Sequence, residues 1–283
     1  MKSSHEVEAV RRMDLGGVAL ENGLLLQGPK HWVLAVSSPD GRISVSSGLR
    51  PVIKGPLGRM PFLRGLARLA ETLAVVGRLD AGGKRSVVPA NLKRMAGATI
   101  LSIAVGRMLR SRGLPIPIAA REFLVSLLSV LPAAAATTRG ASLGRYHAVE
   151  HKAVSAYQRT GGASIEALAE APREHPRCGS NLAALLMGTT AITGALARRI
   201  SPRLPVGAQM ALGAVNLAAS LEIFRWAVRN RRNPVATWLL EPGMRLQRHI
   251  TTVEPTDREL AVGQTALSEL LRLESGGGEG DDV

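Results

Sequence analysis

Residues 146–152 read Tyr-His-Ala-Val-Glu-His-Lys. His147 and His151 are four apart, so on a helix their imidazoles face the same way. Two imidazoles at that spacing can bind one zinc ion. Glu150 beside them can bind the metal or take a proton from its water. The order H-x-x-E-H is that of the inverted zincins. Taken alone, five residues fit a polar helix with two surface histidines equally well. A second cluster shifts the balance. Residues 175–179 read His-Pro-Arg-Cys-Gly, directly before an apolar stretch. The chain has six histidines and one cysteine; His147, His151 and His175 are followed three residues on by that cysteine, Cys178. A lone cysteine is usually a small buried hydrophobe. Three imidazoles, a thiol and a carboxylate gathered this closely can complete a zinc shell. The reading is a metal site of His147, His151, His175 and Cys178, with Glu150 as the catalytic base. A closed four-ligand shell would be structural, and a three-ligand shell that keeps water would be catalytic. Spacing leaves both open.

Several elements must position these groups. Gly161-Gly162 ends the first motif helix, and Ser164 opens a short helical stretch, Ile165–Glu170, closed by Pro172. That excursion can fold His175 back towards His147. Four apolar stretches follow one another in the second half: Met95–Leu109, Phe123–Thr138, Asn181–Ala197 and Pro205–Phe224. A span needs roughly 20 apolar residues, with a lower limit near 17. The fourth passes, the third is marginal, and the first two are short and interrupted by Arg107, Arg110, Arg121 and Glu122. Snorkelling arginines can extend a short span, so the expectation is about four spans. Glu222, near the end of the fourth stretch, is read as pairing with headgroups or Arg225, or as functional. No further polar cluster is read within the spans.

The first half differs. Residues 1–14 read as a disordered lead, with no apolar run of signal-peptide type. Residues 15–49 read as a small sheet, in which Pro39-Asp40-Gly41 supplies hairpin-turn dihedrals. Residues 50–56 read as a linker. Leu57–Leu79 has Leu63, Leu66, Leu69, Leu73 and Val76 at helical spacing among arginines, the pattern of an amphipathic surface helix. Residues 15–94 are thus a sheet with an amphipathic helix, 95–232 a membrane helical domain containing the 139–180 motif loop, and 233–273 a C-terminal segment. There a short apolar run ends at Leu240 and is broken by Pro242-Gly243. Glu259–Leu271 is helical in pattern, and 274–283 is a disordered acidic tail.

The net charge is +14, with only 3% aromatic residues. Such a balance points to nucleic acid or an anionic membrane. No recognition helix, zinc-finger repeat or row of stacking aromatics supports nucleic acid, so anionic membrane lipid is the expected partner. With four spans, the segments before 95, from 139 to 180 and after 225 share one side. They hold the larger share of Lys and Arg, which places the termini and the motif loop in the cytoplasm.

The chain resembles a bacterial membrane family, the YqhQ-like proteins. Four landmarks carry the resemblance: Gly16-Gly17, Ala19, Gly23 and Gly28-Pro29 with the Pro39-Asp40-Gly41 hairpin; Arg64-Gly65; the two central motifs; and Pro242–Arg248 with Thr251-Thr252 and Glu254-Pro255. It extends over roughly 15–270. This chain departs at Asn22, where the family has glutamate, at Ala148, where it has glycine, and at Ser180-Asn181, where it has Thr-Ser. The resemblance implies a multi-pass protein of the bacterial plasma membrane, a metal-dependent enzyme of unknown substrate. The expected fold is mainly α, a polytopic helical bundle with a small N-terminal sheet. The expected function is a zinc-type hydrolase acting on an unknown substrate or membrane protein partner. The alternative is a non-enzymatic membrane scaffold with a structural metal.

Overall fold

A computed structural model describes residues 13–53, 55, 60–81, 92–110, 115–138, 141–201 and 204–276. The tail after 276 and most of the lead lie outside the described residues. Met13 and Asp14 are tied down: the Met13 N–H donates to the Tyr157 hydroxyl at 3.2 Å, and Asp14 pairs with Arg177 at 2.8 Å.

The chain is mainly helical behind an N-terminal sheet. Strands β1 (Gly16–Leu20), β2 (Gly23–Gln27), β3 (His31–Ser37) and β4 (Ile43–Leu49) form an antiparallel meander in sequence order. Short apolar runs separated by turn residues produce it, as the sequence predicts for 15–49. Gly41 sits in the β3–β4 turn at φ +87°, a conformation that glycine adopts without a Cβ penalty.

Nine helices follow among the described residues: α1 (Leu63–Ala81), α2 (Leu92–Leu109), α3 (Ile118–Thr138), α4 (Ala141–Thr160), α5 (Ile165–Glu170), α6 (Gly179–Ile200), α7 (Val206–Arg229), α8 (Pro234–Leu246) and α9 (Asp257–Glu274). A π-helical turn, Gln247–Thr251, continues α8.

The sheet and the C-terminal helix share one core. Leu24, Leu26 and Val33 pack with Val149 and Ala153 of α4, Leu168 of α5, and Leu267 and Leu270 of α9. A Cβ on Gly263 of α9 would collide with Val149, so this glycine sets the α4–α9 approach. Glu274, the last residue of α9, accepts the Lys30 and His31 N–H groups at 2.8 Å each and locks the β2–β3 turn. The segments at opposite ends of the sequence thus close around the first motif helix.

Helices α2, α3, α6 and α7 cover the four apolar stretches. Among the described residues, two of them, α6 and α7, are long and apolar enough to cross a membrane. A polar ladder joins that pair: Thr189 bonds Ser220 at 2.8 Å, and Thr193 donates to Asn216 at 3.0 Å. Sequence reading missed it, because isolated Thr, Asn and Ser do not interrupt an apolar run. Such contacts tie helices together where water is absent. At the far end of the bundle, buried Glu122 of α3 receives Arg110 at 2.6 Å and Arg198 at 2.8 Å. Of the arginines expected to interrupt the first two stretches, Arg110 therefore neutralises an internal carboxylate, together with Arg198 of α6.

Two local expectations are corrected. Pro242 does not break the C-terminal apolar run, because α8 passes through it. The helix starts from an Asn233 cap with Pro234 in its first turn, and Pro242 lies on an exposed face. In α1 the leucine row faces outward and a different stripe faces the protein. Ala67, Glu71 and Val75 are buried, while Leu63, Leu69 and Leu73 are exposed. Glu71 can be buried because Arg50 at 2.9 Å and the Ile53 N–H at 2.8 Å satisfy it. Residues 57–59, the expected start of α1, lie outside the described residues. Glu222, read as pairing with headgroups or Arg225, bonds Arg64 Nε at 2.8 Å and so clasps α7 to α1.

Candidate metal centre

Helix α4 carries His147, Glu150 and His151 on adjacent turns. It ends at Gly161, whose φ of +80° turns the chain. Ser164 then caps α5 through its hydroxyl, which accepts the Ala167 N–H at 3.2 Å.

The return of the second motif is held by buried polar groups. Lys152 is buried, and its ammonium donates to the Ala169 and Ala171 carbonyls at 2.9 Å each and pairs with Glu254 at 2.8 Å. A buried charge persists only when satisfied in this way. Gln247, fully buried, accepts the His175 N–H at 2.7 Å. Asn181 donates to the Pro176 carbonyl at 3.0 Å. Cys178 is the N-cap of α6, with its sulfur at the positive end of that helix.

These constraints bring one donor atom each from His147, His151 and Cys178 within 4.8 Å of one another. The hydrogen bonds fix which imidazole nitrogens are free. His147 Nδ1 lies 2.9 Å from the Thr251 carbonyl, and His151 Nδ1 lies 2.6 Å from the Arg173 carbonyl. A carbonyl only accepts, so both Nδ1 atoms donate and both Nε2 atoms present bare lone pairs. His147 Nε2 faces Cys178 Sγ at 3.2 Å. His151 Nε2 is buried with no hydrogen-bond partner. Backbone support behind each imidazole is the arrangement that orients histidine metal ligands. Glu150 Oε2 stands 3.6 Å from His151 Nε2.

The local field favours positive charge. Burial pushes the His151 pKa down, but Cys178 and Glu150 outweigh it and the net shift is upward. The Glu150 carboxyl and the Cys178 sulfur beside His151 are also groups that a metal cation could meet there. His175 is placed beside this set and not in it. Its ring centroid is 5.9 Å from that of His151, and its Nδ1 accepts the Arg177 N–H at 3.3 Å. Burial, with help from His151, Arg177 and Arg231, lowers its pKa to about 3. It therefore serves as a neutral neighbour whose Nδ1 is already used.

Strand β1 closes over Glu150. A Cβ on Gly17 would lie 2.6 Å from Glu150 Cγ and 2.8 Å from the Leu25 carbonyl oxygen. Gly17 is small so that the strand can rest on the carboxylate. Gly17→Ala is expected to destabilise the protein by about 1–3 kcal/mol through overpacking. Combined with Glu150→Ala, it should cost at least about 0.5 kcal/mol less than the sum of the two. Unfolding of the four proteins of this cycle in detergent checks the coupling; strict additivity would contradict the contact.

Residues 141–273 match the family model described as a protein of unknown function (DUF1385). The match starts with α4, ends with α9, and includes all three convergent donors. The chain is also 26% identical to the uncharacterized protein YqhQ of Bacillus subtilis (strain 168), over 92% of this chain and 93% of that protein. Residues 141–273 thus match the DUF1385 domain, and the chain is similar to YqhQ along nearly its whole length. No solved structure matches it.

Within this YqhQ-like chain the C-terminal landmark has a physical role. Gly243 lets α8 touch α6, Gln247 holds His175, Thr251 orients His147, and the Arg248 carbonyl accepts from Arg173 at 3.1 Å. The departure at Asn22 falls in the exposed β1–β2 turn, where its carbonyl accepts the Ser37 N–H at 2.7 Å. Ala148 is fully buried on α4. Lys152, Asn181, Gln247 and Thr251 were not singled out from the sequence as site residues. The C-terminal landmark, which contains Gln247 and Thr251, was the sequence signal for two of them.

Proposed function

We propose that this YqhQ-like chain is a metal-dependent membrane enzyme of hydrolytic type. His147, His151 and Cys178 hold one zinc-type ion, and Glu150 is the base. One observation carries the reading: three donors converge while each imidazole gives its other nitrogen to a backbone carbonyl. Two imidazoles and a thiolate suit zinc. When bound, such an ion would supply Lewis-acid polarisation of a substrate oxygen and acidify water. The residues do the rest. Thr251 and Arg173 keep both rings in the ligating tautomer. Glu150, half-buried under β1, accepts a proton from attacking water at Oε2 and returns it to the leaving group.

The membrane part of the reading is a four-span bundle of α2, α3, α6 and α7. The apolar windows of α6 and α7 are only 17% buried. Soluble core helices hide such surface, so a lipid environment accounts for its exposure.

The closeness of Glu150 to His151 favours a second reading, a closed structural site in which Glu150 is the fourth ligand. Glu150→Gln separates the two. Elemental analysis of detergent-purified protein should find near one ion per chain in both wild type and Glu150→Gln. Azide should then perturb the visible spectrum of the cobalt-substituted protein, because a position is open. Loss of metal in Glu150→Gln, with no azide response in the wild type, would replace the enzyme reading by the structural one.

A further inference from the structure

The end of the bundle beside the metal centre has an unusual surface. Helix α8 lies across the ends of both apolar helices: Ala236 and Leu240 pack on Phe224, Ala227 and Val228 of α7, and Gly243 packs on Asn181 at the start of α6. Its buried side is thus accounted for. Its outer side is apolar. Val235, Trp238 and Pro242 follow at i, i+3 and i+7 on one exposed face, and Trp238 is 73% exposed. Trp226, in the last turn of α7, is also exposed, at 42%. The chain has three tryptophans in all, so two of them face outward here. Helix α1 packs on the same end of α7, through Gly65 against Leu221, and leaves Leu69 and Leu73 exposed. Between these ridges the α7–α8 corner carries Arg229, Arg231 and Arg232. None has a carboxylate within ion-pair distance among the described residues, where fourteen ion pairs do form.

We propose that this corner is seated in the headgroup layer of an anionic phospholipid leaflet. Trp226, Val235 and Trp238 dip to the acyl boundary, and Arg229, Arg231 and Arg232 bind lipid phosphates. The proposal rests on the membrane reading of α6 and α7. Tryptophan collects at the membrane interface because its ring is apolar and its N–H is polar. A helix with one apolar outer face and flanking arginines lies in that plane, and juxtamembrane arginines draw anionic lipid. Two features select a bilayer over a protein partner. The surface continues directly from the apolar helices, and its unpaired charge is of one sign.

The test uses the full chain in nanodiscs of phosphatidylcholine and phosphatidylglycerol, with bromine placed near the headgroup end or near the terminus of the acyl chain. Trp32→Phe/Trp226→Phe leaves Trp238 as the reporter, and Trp226→Phe/Trp238→Phe leaves Trp32, on the sheet, as the control. Trp238 should lose about half of its emission to the shallow bromine and much less to the deep one, while Trp32 stays bright. Brominated phosphatidylglycerol should quench Trp238 more than brominated phosphatidylcholine, and Arg231→Gln/Arg232→Gln should remove that preference. Trp238 unquenched at both depths, whether open to acrylamide or shielded from it by a protein, overturns the proposal. So does equal quenching by both headgroups with the arginines present. A chain recovered as a detergent-free monomer that does not enter nanodiscs contradicts the membrane reading itself.

Discussion

His151→Ala is expected to reduce bound metal from near one ion per chain to background. His151 is 1% exposed, with its Nε2 unpartnered and its Nδ1 committed to Arg173. It is one of the three donors that converge, so its removal leaves two. Loss of the ion also removes its stabilisation, about 4 kcal/mol at a metal concentration 1,000 times Kd. Wild type should therefore melt higher with added zinc, and His151→Ala should not respond. His175→Ala is the contrast. Its ring lies outside the convergent set and its Nδ1 already accepts the Arg177 N–H. That variant should keep its metal and lose only local packing. Elemental analysis beside melting curves with and without zinc checks both. Equal metal in wild type and His151→Ala, or loss in His175→Ala alone, would reverse the ligand assignment.

The second large effect is expected at Gly243. A Cβ there would sit 2.5 Å from Asn181 Cα and closer still to the Asn181 amide oxygen. The Cα is a backbone atom, so no side-chain rotation relieves that clash. Gly243→Ala must push α8 off the start of α6. Overpacking costs about 1–3 kcal/mol, and the damage spreads. Asn181 holds Pro176, and Gln247, one turn beyond Gly243, holds His175. Separation of α8 from α6 would loosen the loop that delivers Cys178. The variant should unfold earlier and bind zinc more weakly than wild type, although it changes no ligand. Gly188→Ala on α6 is the control, since a Cβ there meets nothing within 4 Å. Similar melting and zinc affinity in the two variants would show that the α6–α8 contact does not support the site.

Much of this arrangement is legible in the sequence for local reasons. Residues 15–49 fold as the expected sheet because Gly28-Pro29 and Pro39-Asp40-Gly41 separate runs too short for helices. Helix α5 appears where Ser164 and Pro172 bound it. The i, i+4 spacing of His147 and His151 puts both on one face of α4, and the Gly161 turn allows Cys178 to reach them. What was not legible depends on contacts between distant segments. The exclusion of His175 follows from the Arg177 N–H that occupies its Nδ1, a matter of loop geometry. The persistence of α8 through Pro242 follows from packing against α7 and α6, which outweighs local helix propensity. The exposed leucines of α1 have the same cause: Arg50 and the Ile53 N–H satisfy Glu71, so a carboxylate takes the buried stripe. The role of the C-terminal landmark is the most remote of all. Thr251 reaches His147 across more than a hundred residues, and no spacing rule links them.

Zinc K-edge X-ray absorption on detergent-purified, zinc-loaded protein tests the centre most directly. Two imidazole nitrogens at about 2.0–2.1 Å and one sulfur at about 2.3 Å are expected, with the sulfur shell absent in Cys178→Ser. A zinc environment of nitrogen and oxygen alone in the wild type would contradict the His147–His151–Cys178 centre.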